Sequence, residues 1–190
     1  MILYCATSNP GKLHEFRLAA PDFDLRPLSL PPPDEHGETF EENAVEKALS
    51  YGVHAKGYLF ADDSGLEVDA LGGAPGVHSA RFARPDATDS DNNALLLERL
   101  RGIENRAARF VCVIALVQDG ALVRTFRGAV EGKVIDAPRG SNGFAYDPLF
   151  YYEPFGCTFG EASAEQKMRV SHRGQALEKM FTYLRRIAAT

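Results

Sequence analysis

The feature of this sequence that most constrains its fold is a long β-hairpin in the middle of the chain. An apolar run extends from Phe110 to Val117, the turn Asp119-Gly120 follows, and a second strand-like run extends from Leu122 to Ile135. Asp-Gly between two apolar runs is a strong short-range hairpin signal. The second run is long for one strand, and its glycines, Gly128 and Gly132, predict a bend. The sequence therefore predicts a long antiparallel ribbon at the centre of the molecule.

A second local signal is a capping box at the start of a helix. Thr39 begins the sequence TFEE, in which Thr39 caps the helix and Glu42 reaches back to the cap. Phe40, Ala44 and Ala48 follow at intervals of four residues, so they share one helix face. The pattern predicts a helix with one apolar face.

The remaining elements alternate between strands and helices. Apolar runs predict strands at Ile2–Ala6 and Tyr58–Ala61, and helical spacing predicts helices from Leu13 onwards, from about Asp91 to Leu100, and after Ser171. No linker is long enough to separate domains. We therefore predict a single domain over residues 1–190, of mixed α/β class with the ribbon flanked by helices.

Charge and cysteine content argue against several classes of function. The 190 residues carry a net charge of −5, so the surface lacks the Lys and Arg excess that duplex nucleic acid or anionic lipid requires. Cys5, Cys112 and Cys157 are too far apart for a zinc motif or a disulfide framework, and Cys5 and Cys112 lie in strand-like runs typical of a core. The N-terminal sequence lacks the pattern of a signal peptide. The sequence also contains no apolar run of about 20 residues, which is the length needed to cross a membrane. We expect a cytoplasmic protein with no nucleic-acid or membrane partner.

The segment Ser8-Asn9-Pro10-Gly11-Lys12 connects the first strand to the first helix. A glycine-containing turn ahead of a helix offers backbone N–H groups and the positive end of the helix dipole to an anion. Lys12 adds a cation that a phosphate can use. An ordinary turn with an exposed lysine fits the segment slightly better on local sequence alone, because the GxxxxGK[ST] pattern of a P-loop is absent.

The segment Asp62-Asp63-Ser64-Gly65 follows directly on an apolar strand. Adjacent carboxylates repel each other, so a positive partner is expected. Mg²⁺ commonly uses one or two carboxylates together with substrate phosphates and waters. The alternative is a solvated turn, since Asp, Ser and Gly are common turn formers. The preceding buried strand and a second acidic loop, Asp34–Glu38, favour the metal site.

Two further segments suggest a ligand with a flat ring. The loop SNGFAYDP, residues 141–148, carries Phe144 and Tyr146, which either pack into the core or face a base. His172 and Arg173 open the last helix, where cations oppose the helix dipole and an anion or acceptor atom would explain them. Taken alone, His172 and Arg173 are more simply interpreted as surface residues. A phosphate cradle, an acid pair and a cationic pair near aromatics together match the requirements of a nucleoside triphosphate site.

Five blocks of sequence, in this order, closely resemble the inosine/xanthosine triphosphate pyrophosphatase family: SNPGK, TFEENAVEKA, ADDSGLEVDALGGAPGVHSARFA, RGSNGFAYDPLF and SHRGQAL. The resemblance covers nearly the whole chain. It implies an elongated α/β fold with two lobes around a central cleft, a homodimer, and Mg²⁺-dependent hydrolysis. The implied reaction converts deaminated purine triphosphates (ITP, dITP, XTP) to the monophosphate and pyrophosphate.

The resemblance also implies a role for individual residues. Asp63 would bind the metal and activate water, with Glu35 as a second metal ligand, and Ser64 would contact substrate. The triphosphate would be held by Thr7, Ser8, Asn9, Pro10, Gly11, Lys12 and Lys167. The base would be surrounded by Phe144, Ala145, Tyr146, Asp147, His172 and Arg173. Ala145 departs from the family, which usually has glycine there, and its methyl group could tighten or shift the pocket.

Base selectivity follows from hydrogen-bond polarity. Hypoxanthine and xanthine present a 6-oxo acceptor where adenine presents an amino donor, and Arg173 can only donate. Three other functions fit parts of the sequence: a pyrophosphatase for other modified nucleotides such as pyrimidine triphosphates, a nucleotide-binding regulator without catalysis, and an RNA-binding module that stacks bases on aromatic residues. The acidic composition disfavours the last of these.

Overall fold

The computed structural model describes residues 1–28, 30–31, 33 and 36–189. Within these residues, seven strands form one sheet in the order β2-β1-β3-β4-β5-β6-β7. The strands are β1 (Ile2–Ala6), β2 (Asp24–Pro27), β3 (Tyr58–Val68), β4 (Ala107–Gln118), β5 (Ala121–Val134), β6 (Phe150–Tyr152) and β7 (Cys157–Thr158). β1 pairs in parallel with β2 and β3, and every other pairing is antiparallel. The predicted mixed α/β class is confirmed.

The central ribbon is the β4–β5 hairpin. Its turn consists of Asp119 and Gly120, whose φ angles of 50° and 80° are both left-handed, as a two-residue hairpin turn of this type requires. β5 runs through Gly128 and Gly132 without interruption, and the one shift in register lies elsewhere, between Leu116 and Val117. A Cβ on Gly128 would lie 2.1 Å from the carbonyl oxygen of His172. We therefore infer that the close packing of His172 on β5 requires glycine at position 128.

In the part of the chain that the structure describes, five α-helices flank the sheet: α1 (Pro10–Ala19), α2 (Phe40–Gly52), α3 (Asp89–Arg99), α4 (Ala164–Val170) and α5 (His172–Ala188). The predicted capping box of Thr39 and Glu42 is present at the start of α2. α3 begins two residues earlier than predicted, because Thr88 caps it and Asp91 completes a second capping box. Ser171 caps α5, as the sequence predicts.

Both faces of the sheet are covered. On one face, α1 and α5 pack on the strands through a cluster that includes Phe16, Phe60 and Phe181. On the other face, α2 packs its predicted stripe of Phe40, Ala44 and Ala48 against β3 and β4. A third cluster joins the far half of the ribbon to α3 and the C-terminal strands. Cys5 and Cys112 are fully buried in the first cluster, as expected of core residues.

One strand is longer than the sequence indicates. The expectation that the strand after Tyr58 ends at Ala61 is wrong, because β3 continues through Asp62-Asp63-Ser64-Gly65 to Val68. Pairing with β4 supplies backbone hydrogen bonds along this whole stretch, which overrides the local preference of Asp, Ser and Gly for turns. β1 pairs with β3 only as far as Ala61, so the edge of β3 beyond that residue opens into a cleft.

None of the helices among the described residues combines the length and the apolarity that crossing a bilayer demands.

The close packing of α5 on the ribbon generates a prediction. Gly128→Ala should lower the free energy of unfolding by about 2 kcal/mol or more, because the new Cβ meets backbone rather than a movable side chain. Gly57→Ala is the control, since Gly57 has a φ of 89° but no atom near its Cβ position, so only backbone strain of about 1 kcal/mol applies. Urea denaturation measures both. Equal losses would contradict the packing argument.

Candidate active site

A cleft of about 930 Å³ lies where β1 ends, between the start of α1, the open edge of β3 and the loop 144–147. Every site residue predicted from the sequence and described by the structure lines this cleft. They are Thr7, Ser8, Asn9, Pro10, Gly11, Lys12, Asp63, Ser64, Phe144, Ala145, Tyr146, Asp147, Lys167, His172 and Arg173. Glu35, the predicted second metal ligand, lies outside the described residues. Segments far apart in sequence therefore meet at one place, while the role of each residue stays a prediction.

The first wall of the cleft is the N-terminal end of α1. Asn9 caps the helix, because its Oδ1 accepts from the backbone N–H of Lys12 at 3.1 Å. Thr7 Oγ1 accepts from the backbone N–H of Asn9 at 3.1 Å, which fixes the turn before the cap. A Cβ on Gly11 would lie 2.6 Å from the ring of Phe144, so only glycine allows this helix end to approach that ring. The first turn of the helix thus presents the backbone N–H of Gly11 and the side chain of Lys12 at the cleft.

The adjacent acids of β3 point to opposite faces of the sheet, as successive residues of a strand do. Asp62 accepts from Lys12 Nζ at 3.0 Å and from the Arg173 guanidinium at 3.3 Å. Asp63 accepts from Asn43 Nδ2 and Lys47 Nζ, each at 3.2 Å, from α2. Each carboxylate therefore has its own positive partner, and these partners offset the repulsion that is expected between adjacent carboxylates.

Asp62 remains ionised although it is buried. Burial alone would raise the pKa of its carboxyl, but the positive charges of Lys12, Arg173 and Lys47 lower that pKa well below its ordinary value. Asp62 therefore remains a permanent negative charge beneath the cleft at neutral pH.

Glu15 is the site residue that sequence reasoning missed most clearly. Its carboxylate is buried and contacts Lys167 Nζ at 2.7 Å and Nη1 of Arg173. Burial would raise the pKa of Glu15, but Arg173 and Lys167 outweigh it and lower the pKa. In the sequence, Glu15 appears only as a charged residue directly before Phe16 of the apolar stripe. Such a position is by itself typical of a helix surface.

The second wall is the loop 144–147, which meets the first wall where Phe144 packs on Gly11 and which folds around its own carboxylate. Asp147 accepts from the backbone N–H of Phe144 at 2.9 Å and from Lys167 Nζ at 2.5 Å. Burial raises the pKa of Asp147, and the charge of Lys167 offsets only part of this effect. Lys167 thus joins the loop to Glu15, and through Glu15 to α1.

The two aromatic residues of this loop have different surroundings. Tyr146 is 1% exposed, and its hydroxyl donates to the carbonyl oxygen of Ser79 at 2.7 Å. The ring of Tyr146 therefore packs in the core, although the residue still lines the cleft, so of the two aromatic residues that the sequence offers for stacking it is the less accessible. Phe144 is half-buried and lines the cleft, with Lys167 Nζ 4.9 Å and Arg173 Cζ 5.6 Å from its ring centre. Of the two, Phe144 is the residue placed to meet a flat ligand.

Arg173 does not stand free to read a base. Its buried guanidinium donates to Glu15, to Asp62 and, at 2.6 Å, to Ser64 Oγ. Burial would lower the pKa of Arg173, but the two acids raise it above its ordinary value. The sequence-based assignment of Arg173 as the 6-oxo donor requires one of its N–H groups to leave these partners or remain spare. In this structure its main role is to bind the two acids together.

His172 is buried and uncharged. Its ring stacks on Phe110 with centres 4.7 Å apart, and its Nδ1 has no hydrogen-bond partner among the described residues. Burial lowers the pKa of His172 well below its ordinary value, and the nearby charges of Arg173 and Lys167 act in the same direction. A neutral imidazole can both donate and accept a hydrogen bond, so His172 offers the cleft both polarities.

Two more site residues come from α2. Asn43 and Lys47 lie four residues apart, one position before Ala44 and Ala48 of the apolar stripe, so the helix that covers the sheet also brings them to Asp63. Their spacing beside the stripe was a usable signal that the sequence reasoning did not take up. The charged side chains that form ion pairs in or behind the cleft include Lys12, Lys47, Lys167, Arg173, Glu15, Asp62, Asp63 and Asp147.

Comparison with known proteins identifies the family of this chain. A sequence model described as the Ham1 family matches residues 3–183. This protein belongs to the Ham1 family.

Relatives match along nearly the full length of the chain. The dITP/XTP pyrophosphatase of Syntrophobacter fumaroxidans is 50% identical over 182 residues, which cover 93% of this chain and 78% of the relative. The dITP/XTP pyrophosphatase of an Exiguobacterium species is 49% identical over 186 residues, or 95% of each chain. Among solved structures, the HAM1 protein from Coxiella burnetii has a TM-score of 0.87 at 38% identity, covering 98% of this chain and 99% of its own. The Staphylococcus aureus Ham1 protein has a TM-score of 0.86 at 36% identity, covering 97% and 98%.

The position of Glu15 between two buried cations predicts a large effect on stability. Glu15→Gln should lower the free energy of unfolding by about 3–5 kcal/mol, because it leaves Lys167 and Arg173 short of a buried counter-charge. Glu153→Gln makes the same chemical change in an exposed pair with Lys133 and should leave stability unchanged. Chemical denaturation at pH 7 measures both. A loss at Glu15 no larger than at Glu153 would contradict this account.

The buried neutral His172 predicts a pH dependence of stability. In the unfolded chain this imidazole takes up a proton as the pH falls through about 6.5, whereas the folded protein excludes it. Stability should therefore fall from pH 7.5 to pH 5, with up to about 1.4 kcal/mol per pH unit due to this residue. His172→Phe keeps a ring against Phe110 and should flatten the profile by that amount. The raised pKa of Asp147 changes stability with pH in the opposite direction. Because the unmodified protein and His172→Phe both contain Asp147, its contribution cancels in the difference between their profiles.

A matched control isolates the effect of burial in this comparison. His54 is exposed, and His54→Phe should leave the profile parallel to that of the unmodified protein. Thermal denaturation across the pH series provides the measurement. An unchanged slope for His172→Phe would show that this histidine takes up its proton in the folded state.

Proposed function

We propose that this protein hydrolyses deaminated purine nucleoside triphosphates (ITP, dITP and XTP) to the monophosphate and pyrophosphate. One observation carries the proposal: a single cleft has a helix N-terminus with Lys12 at one wall, the Phe144 loop at the other, and the carboxylates of β3 between them. The relatives named dITP/XTP pyrophosphatase support the same reaction. A triphosphate at the first wall and a base at the second would place the reacting phosphorus near the open edge of β3.

The first wall suits the triphosphate. Pro10 has no N–H and that of Lys12 bonds Asn9, so among the described residues the first turn of α1 offers the backbone N–H of Gly11, and its macrodipole favours negative charge at this end. Lys12 can move from Asp62 to a phosphate oxygen through its flexible side chain. Hydrolysis requires water to attack the α-phosphorus, so negative charge grows on the leaving pyrophosphate, where these donors stabilise it.

Asp63 is our candidate for activating the water. It is a buried carboxylate on the open edge of β3, oriented by Asn43 and Lys47. Ser64 and Asp62 lie on the opposite face, where Arg173 holds both. Asp63 would accept a proton from, or orient, the attacking water.

We also propose that the enzyme uses Mg²⁺. The described residues contain no group of three His, Cys, Asp or Glu side chains that could hold a metal alone. A carboxylate at Asp63 beside the phosphate wall nevertheless fits Mg²⁺, which commonly takes one or two carboxylates and completes its shell with water and substrate phosphates. When bound, the ion would neutralise charge that develops on the phosphate oxygens.

The second wall suits a 6-oxopurine. Phe144 offers the ring contact, while Lys167 and the neutral His172 add polar groups around the same space. A 6-oxopurine presents an acceptor where adenine presents a donor, so a site whose donors stay unpaired with adenine can reject it by about 10⁴-fold. We extend the proposal to a homodimer acting in the cytoplasm, on the family resemblance alone.

The reaction is tested with purified protein and its Asp63→Asn variant, using ITP, XTP, dATP and dUTP with and without Mg²⁺. We expect pyrophosphate from ITP and XTP only, only with the metal, and a loss of about 10²–10⁴-fold in kcat for the variant. Asp136→Asn changes an exposed carboxylate far from the cleft lining and should retain full activity. Orthophosphate as the product would contradict the proposal, and pyrophosphate from dUTP instead would favour a pyrophosphatase for modified pyrimidines.

A further inference from the structure

The N-terminal half of α3 carries polar side chains on the face where its C-terminal half is apolar. Asp89, Asn92 and Asn93 are spaced i, i+3 and i+4, so they share one face of the helix. Leu96 and Leu100 continue the same face into the core, and both are fully buried. Each of the three polar side chains bonds backbone of a segment that lines the cleft. This face of α3 therefore supports the site without belonging to the charged network.

Two of these side chains, those of Asp89 and Asn93, bind the backbone of Ala145 in the loop 144–147. Asp89 Oδ2 accepts from the backbone N–H of Ala145 at 2.7 Å. Asn93 Nδ2 donates to the carbonyl oxygen of Ala145 at 3.0 Å. Both backbone polar groups of Ala145 are thus bound by side chains that are one helical turn apart. We call Asp89 and Asn93 the α3 clamp.

Ala145 needs such support because of its backbone conformation. Its φ is +54°, which is left-handed, and Asp119 is the only other non-glycine residue with positive φ among the described residues. A left-handed conformation costs an alanine about 1–2 kcal/mol relative to a right-handed one, whereas glycine adopts it freely. Asp119 stands in the hairpin turn, and Ala145 is the second residue of a turn that is closed by the hydrogen bond from the Asp147 N–H to the Phe144 carbonyl oxygen. The clamp adds two side-chain hydrogen bonds that hold alanine in this conformation.

The third side chain ties α3 to the other side of the cleft. Asn92 is buried, accepts from the backbone N–H of Ala83 at 2.9 Å and donates to the carbonyl oxygen of Ala80 at 3.1 Å. Ser79, next to Ala80, accepts from the Tyr146 hydroxyl through its carbonyl oxygen. The segment 79–81 and the loop 144–147 both line the cleft, so α3 fixes the position of one relative to the other.

We propose that Asp89 and Asn93 are positioning residues that hold the loop 144–147 in its ligand-binding conformation and thereby set the affinity of the cleft for the base. This inference rests on the proposed function, because it assigns the base to that loop. The hydrogen bonds of the clamp go to the backbone of Ala145 at the loop end of the cleft, which Asp89 also lines, and we place the phosphates and the attacking water at the other end. Loss of the clamp should therefore raise KM and leave kcat within about twofold, since only the fraction of protein with a competent loop changes.

Hydrogen exchange tests the clamp without substrate. Asp89→Ala should speed exchange of the Ala145 amide by about tenfold, because the amide loses its acceptor. Asp89→Asn keeps an acceptor oxygen and should restore most of the protection. Ser90→Ala alters an exposed neighbour that makes none of these contacts and should leave exchange of the loop unchanged. Unchanged exchange in Asp89→Ala would overturn the clamp.

Kinetics with ITP test its consequence for binding. Asn93→Ala should raise KM by about tenfold, because the open loop then returns to an ordinary backbone conformation. Adding Ala145→Gly to Asn93→Ala should recover most of that loss, since glycine needs no support to remain left-handed. A variant damaged only in α3 stability would lose kcat and thermal stability, and Ala145→Gly would not rescue it. That outcome would overturn the positioning role.

The two proposals fail in different ways. If the unmodified protein releases no pyrophosphate from ITP or XTP, the proposed function is wrong, while the exchange experiment still decides whether the clamp holds Ala145. If pyrophosphate is released normally but neither Asn93→Ala nor Asp89→Ala changes KM, the reaction stands and the positioning role is wrong.

Discussion

The ion-pair network beneath the cleft is the interaction on which the arrangement of this site depends. Lys167 of α4 joins Asp147 of the loop 144–147 to Glu15 of α1, and Arg173 of α5 joins Glu15 to Asp62 of β3. These contacts fix five elements of the chain relative to one another. A buried pair of this kind contributes little net stability, yet removal of one partner costs about 3–5 kcal/mol. We infer that the network serves to order the cleft more than to stabilise the fold.

An ordered set of charges has a direct consequence for catalysis. Donors that are already aimed at the place where charge develops need no reorganisation during the reaction, which is the main source of electrostatic catalysis. The acids that hold Lys12, Lys167 and Arg173 in the absence of a nucleotide keep these cations in place and neutralise their mutual repulsion. On the proposed function, a nucleotide phosphate would compete with Asp62 for Lys12 at the mouth of the cleft, while the more deeply buried ion pairs would keep their geometry.

Local sequence signals predicted the parts of the structure that depend on neighbouring residues. The Asp119-Gly120 turn, the capping boxes and the start of α5 all follow from short patterns, and each was found where it was expected or within two residues. Recognition of motifs placed the site residues together. The features that escaped prediction depend on distant partners: Asp62 and Asp63 remain in a strand because β4 pairs with them.

The same limit applies to individual side chains of the site. Glu15 is buried because two cations from the last part of the chain reach it. Tyr146 packs inward because a carbonyl oxygen at Ser79 accepts its hydroxyl. A sequence pattern can identify such residues as polar or aromatic, but their partners are set by the tertiary fold. The surroundings of Arg173 follow the same rule, because its guanidinium bonds two acids from distant parts of the chain, while its role as a reader of the base stays a prediction.

The central claim is that one nucleotide lies across the cleft, with its phosphates at α1 and its base at the loop 144–147. A crystal structure with a non-hydrolysable ITP analogue and Mg²⁺ tests it most directly. The account predicts phosphate oxygens at the first turn of α1 within reach of Lys12, the hypoxanthine ring beside Phe144, and the α-phosphorus near Asp63. A nucleotide in the reverse orientation, or bound outside this cleft, would contradict it.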